Sequence, residues 1–129
     1  MKKTSLGALL QFILILSLAG CGFFKPSPSQ VVKNFYRDIE AGKIEDATKL
    51  LSAQTSQAFG SKLQAVMAHQ TSEIKDKGGI KSIDTEEHVT GDISTVKYKV
   101  IYGNNTTEDG TFNLIKENGD WKLQASMNK

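Results

Sequence analysis

The chain has 129 residues, with 16 basic and 14 acidic side chains and a single cysteine. That length suits one domain of ordinary size, and a formal charge of +2 without a basic run or basic–aromatic interleaving argues against a nucleic-acid binder. A lone cysteine excludes an internal disulfide and offers a metal no partner at ligand spacing, so no cofactor is expected.

The first segment sets itself apart. Lys2 and Lys3 precede Leu6 to Leu18, an uncharged stretch rich in Leu and Ile that ends in small residues. A charged start followed by a short apolar run is the pattern of a secretory signal, and the run falls short of the roughly 18 residues a spanning helix needs. Residues 1–20 are therefore excluded from the fold, which leaves 14 basic and 14 acidic groups in the remainder. The segment closes on Leu18-Ala19-Gly20-Cys21. This tetrapeptide resembles the lipobox of bacterial lipoproteins, which implies a lipid on Cys21 and anchorage to the cell envelope. Gly22 follows the cysteine in place of the aspartate that resembles an inner-membrane retention signal, which favours the outer membrane, facing the periplasm, if the cell is Gram-negative. Residues 21–27 then read as a short lipidated tether containing Pro26, and 28–129 as the folded domain.

Helical patterns come first. Ser27 suits an N-cap, with Pro28 at the first helical position and Gln30 at the capping-box site, while Val31, Val32, Phe35, Tyr36 and Ile39 make one apolar stripe before Gly42. A short helix is expected over Ile44–Leu51 and a long one over Thr55–Lys77, closed by Gly78-Gly79. From Ile80 the apolar period becomes two. Turn signals at Gly91-Asp92, Gly103-Asn104-Asn105 and Asn118-Gly119-Asp120 separate four expected strands, and such short turns imply an antiparallel meander. Val96, Tyr98, Val100 and Tyr102 share a face opposite Lys97, Lys99 and Ile101; Phe112, Leu114, Trp121, Leu123 and Ala125 supply matching apolar faces. Helices grouped before an antiparallel sheet define an α+β domain.

The succession Ser27-Pro28-Ser29-Gln30-Val31-Val32-Lys33-Asn34-Phe35-Tyr36, Gly42-Lys43-Ile44-Glu45-Asp46-Ala47, Gly78-Gly79-Ile80 and Asn118-Gly119-Asp120-Trp121-Lys122-Leu123 resembles the small bacterial lipoproteins that carry a nuclear transport factor 2-like domain of unknown function. The resemblance implies a cone: a curved antiparallel sheet of about four strands around N-terminal helices, with a pocket at its wide end. It implies no single activity, because relatives include enzymes, binders and interaction modules.

Candidate chemistry is sparse. Asp84 and His88 share one parity of the first strand, opposite Ile83 and Val89, which points this acid–base pair to solvent; Ile80 falls on the same parity as Asp84 and His88. His69 has no histidine or cysteine at ligand spacing. Asn104, Asn105, Glu108 and Asp109 read as a polar hairpin turn without calcium-loop spacing. Lys97, Lys99 and Lys122 form a stripe on the polar sheet face that either meets anionic headgroups or is simply solvated. Tyr36, Tyr98, Tyr102, Phe112 and Trp121 are the candidates for a ligand pocket, with core packing as the competing account.

The expected role is a non-catalytic, membrane-anchored module that binds envelope proteins or itself. The alternative is a binder of a small apolar or amphipathic molecule, and a third reading is an isomerase- or dehydratase-type enzyme. The last would require an inward-facing carboxylate or histidine next to a tyrosine.

Overall fold

A computed structural model describes residues 25–125, so the signal segment, Cys21 and the start of the tether lie outside the described residues. Helix α1 spans Pro28–Glu40 and opens as its sequence dictates: Ser27 Oγ accepts from the Gln30 amide at 3.2 Å, with Pro28 in the first turn. The capping box is only half made, because the Gln30 side chain donates instead to Asn34 Oδ1 at 2.8 Å. Val31, Val32, Phe35, Tyr36 and Ile39 are all buried, and they form the spine of the core.

Helix α2 covers Ile44–Lys49 and stops short of Leu51. The reason is tertiary: Leu50 O accepts from the Leu123 amide and the Ser52 amide donates to Leu123 O, both at 2.8 Å, so the chain here pairs with the last strand. This parallel bridge covers one edge of the sheet.

The long third helix expected over Thr55–Lys77 is broken into α3 (Ala53–Phe59), a 3-10 turn (Gly60–Lys62) and α4 (Leu63–Asp76). Gly60 has φ 52° and ψ −132°, a conformation open essentially to glycine alone, and it redirects the chain after Phe59. Ser52 caps α3 through its Oγ and the Thr55 amide.

Four strands follow: β1 (Ile80–Thr90), β2 (Ile93–Tyr102), β3 (Thr107–Glu117) and β4 (Asp120–Gln124), paired in the order β1-β2-β3-β4 and antiparallel throughout. Asn118 and Gly119, with φ 51° and 82°, form the two-residue turn between Glu117 and Asp120 that a tight hairpin favours.

A register shift between Ile80 and Ser82 corrects the parity of β1. Ile80 pairs with Tyr102 and Ile83 with Val100, so the extra residue, Lys81, brings both isoleucines to the buried side. Asp84 and His88 are exposed as expected, but so is Val89, 49 % exposed on the edge strand although its partner Ser94 is buried.

The sheet's concave face, carrying Val96, Val100, Tyr102, Leu114 and Leu123, packs on α1 with Leu63, Met67 and Ile74 of α4. Among the described residues no helix is long and apolar enough to cross a membrane.

Candidate functional site

The breaking of the third helix at Gly60 leaves α3 and α4 bracketing an opening over the concave sheet. A cavity of about 280 Å³ lies there, just below the ~300–1,000 Å³ usual for small-molecule sites. Phe35 and Ile39 of α1, Leu63 and Met67 of α4, and Phe112 and Leu123 of the sheet make its apolar walls. Phe59 and Val66 stand at its rim, each 41 % exposed, which are large apolar side chains left in water.

Tyr36, Tyr98, Tyr102 and Phe112 line this cavity; Trp121 does not. Trp121 is half-buried on β4 opposite Lys116, whose Nζ lies 5.2 Å from its ring, so its indole packs at the flank of the sheet. Its inward parity was legible, but β4 is short and the cavity lies toward its far end, at Leu123 and Gln124.

The aromatic wall is ordered by contact. Tyr98 stacks on Phe112 at 4.8 Å between centroids, Phe112 meets Phe35 edge-on at 6.1 Å, and Tyr36 lies 5.5 Å from Tyr98. Gly110, directly across from Tyr98 on β3, makes room for the phenol: a Cβ there would come within 2.7 Å of the Tyr98 hydroxyl oxygen.

One end of the cavity is polar. The Tyr102 hydroxyl donates to Glu108 Oε2 at 2.6 Å, Lys77 Nζ lies 4.7 Å from the Tyr102 ring centroid, and Glu73 and Gln70 complete the margin. Burial first, then its hydrogen bond with Tyr98, raises the Tyr36 phenol above its ordinary value; burial, then the Glu108 hydrogen bond, does the same to Tyr102. Both phenols are therefore neutral hydrogen-bonding groups across the physiological range.

From sequence alone, Glu108 falls in a polar hairpin turn. The turn in fact closes at Thr106, whose carbonyl accepts from the Tyr102 amide, and Glu108 is the second residue of β3, on the parity of Gly110 and Phe112. A count of two from Gly110 would have found it. Glu73 and Lys77, one helical turn apart near the end of α4, carried no signal beyond being charged.

The other candidates fall elsewhere. His69 is on the exposed face of α4, 3.4 Å from Glu73, and among the described residues no group of three His, Cys, Asp or Glu side chains gathers as a metal site would require. Lys97 and Lys99 stand opposite Glu86 and Asp84, while Lys122 Nζ donates to Lys49 O at 2.6 Å, so the expected lysine stripe is interleaved with acid and partly engaged.

Helices packed against the concave side of a four-stranded antiparallel meander, with an aromatic cavity between, define a nuclear transport factor 2-like α+β domain. Among solved structures, a Campylobacter jejuni protein described as a candidate NTF2-like transpeptidase matches with a TM-score of 0.66 at 21 % identity, covering 76 % of this chain and 97 % of that one. At that identity the likeness bears on the fold alone. Residues 19–124 match the family described as Domain of unknown function (DUF4878), and the chain belongs to that family. None of the curated proteins matches it significantly.

Proposed function

We propose that this chain is a lipid-anchored envelope protein whose cone binds a small amphipathic molecule. The observation that carries the binding reading is the cavity: apolar walls, an exposed apolar rim at Phe59 and Val66, and convergent hydroxyls and a carboxylate at one end, the composition expected of a site that orients a ligand. The anchor is the acylated Cys21 of Leu18-Ala19-Gly20-Cys21, and several acyl chains at about 0.8 kcal/mol per buried methylene hold the domain at the bilayer. Lys25, the first described residue, reaches Asp120 at 3.7 Å, at the end of the sheet opposite Tyr102 and Glu108.

Native mass spectrometry of the full chain, released from detergent after incubation with an envelope extract, tests this reading. A stoichiometric small-molecule adduct that Val66→Trp removes supports it; an adduct-free chain in both forms contradicts it.

Two specific observations favour other readings. Val89 and Ile93, 49 % and 61 % exposed near the β1–β2 turn, offer apolar contact to an envelope protein or a second copy. Glu108 beside Tyr102 meets the placement that an isomerase- or dehydratase-type site requires. Binding is preferred to turnover because Glu108 is already engaged by the phenol and no second acid or base lies at hydrogen-bond distance from that pair among the described contacts.

A further inference from the structure

The polar end of the cavity carries information about charge. Three phenols, Tyr36, Tyr98 and Tyr102, line the cavity; the rings of Tyr36 and Tyr98 lie 5.5 Å apart, and the Tyr102 hydroxyl donates to Glu108 Oε2 at 2.6 Å. Glu73 lines the same margin. Aromatic faces present negative potential to whatever approaches them, and neutral phenols add oxygen lone pairs without adding charge.

Among the described residues that line the margin, Lys77 is the one cation beside the carboxylates of Glu73 and Glu108, and Glu73 also faces the exposed His69 at 3.4 Å. The Lys77 ammonium lies over the Tyr102 ring at 4.7 Å, so this aromatic face accommodates a cation. A ligand head carrying negative charge would meet Glu73 and Glu108 with Lys77 as its one counter-ion. A positively charged head would meet the carboxylates and the aromatic faces, with Lys77 as its one competitor.

We propose that this cavity selects an organic cation, a small aromatic or amphipathic ammonium whose charged head lies among the hydroxyls of Tyr36, Tyr98 and Tyr102 beside the Glu108 carboxylate, and whose apolar body lies against Phe35, Phe112 and Met67. This rests on the binding reading above and adds the charge of the ligand to it. Lys77 then serves as a resident stand-in for the ligand head, displaced when the ammonium enters.

The test uses three probes with one skeleton and different heads: 2-phenylethylamine, 2-phenylethanol and phenylacetate. Each is titrated calorimetrically into the full chain held in neutral phosphatidylcholine nanodiscs, with empty nanodiscs as reference. The amine is expected to bind about tenfold more tightly than the alcohol, the scale of one ion pair and cation–π contact at a partly wet site, and the carboxylate more weakly than either. Glu108→Gln should remove the amine's roughly tenfold advantage over the alcohol. Lys77→Gln should tighten the amine, since it removes the competitor. Equal affinities for amine and alcohol, tighter binding of phenylacetate, or weaker amine binding in Lys77→Gln would overturn the cation assignment while leaving the cavity a binding site. Absence of binding by all three probes would overturn both.

Discussion

Tyr102 donates its hydroxyl proton to Glu108 Oε2 at 2.6 Å, joining the last residue of β2 to the second residue of β3 across their hairpin. The bond ties a buried ring to an exposed carboxylate, so it aligns the polar end of the cavity while adding little to stability. Tyr102→Phe should cost about 0.5–1.5 kcal/mol in urea denaturation, the range for one net hydrogen bond with an accessible partner. A loss above 3 kcal/mol would mean that the hydroxyl also serves the core.

The same phenols set the alkaline limit of the fold. Tyr36 and Tyr102 are both raised above 10.0, first by burial and then by hydrogen bonding, to Tyr98 and Glu108 respectively. A folded value above the unfolded one means that the stabilisation is complete below pH 10 and is lost as pH rises through the folded values. Stability should therefore fall above about pH 10, and Tyr36→Phe should flatten that fall in melts recorded across the alkaline range.

Gly60 separates α3 from α4 and so opens the cavity. A Cβ there would meet nothing within 4 Å, so any penalty comes from the backbone at φ 52° and ψ −132°. Gly60→Ala should destabilise the domain by about 1–3 kcal/mol, and the measurement is again chemical denaturation. Unchanged stability would show that α3 and α4 tolerate a straighter junction.

Trp121 tests the distinction between core and flank. A fully buried tryptophan would cost roughly 3–5 kcal/mol on truncation, but this one is half-buried beneath Lys116. Trp121→Ala should cost about 1–3 kcal/mol and leave probe binding in the cavity intact. Loss of binding would place the indole closer to the ligand than the cavity lining does.

Cys21→Ser should abolish lipid labelling and leave an unprocessed precursor. Persistent labelling of that variant would contradict the anchor.

The sequence made some of this architecture readable because local chemistry and tertiary demand agree there. The α1 stripe from Val31 to Ile39, the inward parity of Val96 to Tyr102 and the Asn118-Gly119 turn each follow from a period or a backbone preference that the fold reinforces. The failures occur where one residue resets a period. Gly60 sits inside an apolar helical pattern and breaks it; Lys81 is an extra residue that moves Ile80 across the strand; Leu50 and Leu51 leave their helix for Leu123, a partner more than 70 positions away. The cavity shows the same division. Four of its aromatics were visible from spacing, whereas Glu73, Lys77 and Glu108 meet only because α4 and the β2–β3 hairpin end at the same place.

The central claim is that the space among Tyr36, Tyr98, Tyr102 and Phe112 admits a ligand. Met67 lines it and is 2 % exposed, so its methyl group reports on the interior. The direct measurement is the Met67 methyl resonance, assigned with Met67→Leu, during titration of 2-phenylethanol into the full chain. A saturable shift that Val66→Trp abolishes is the predicted result; a methyl resonance that never moves would show a filled cone and contradict the account.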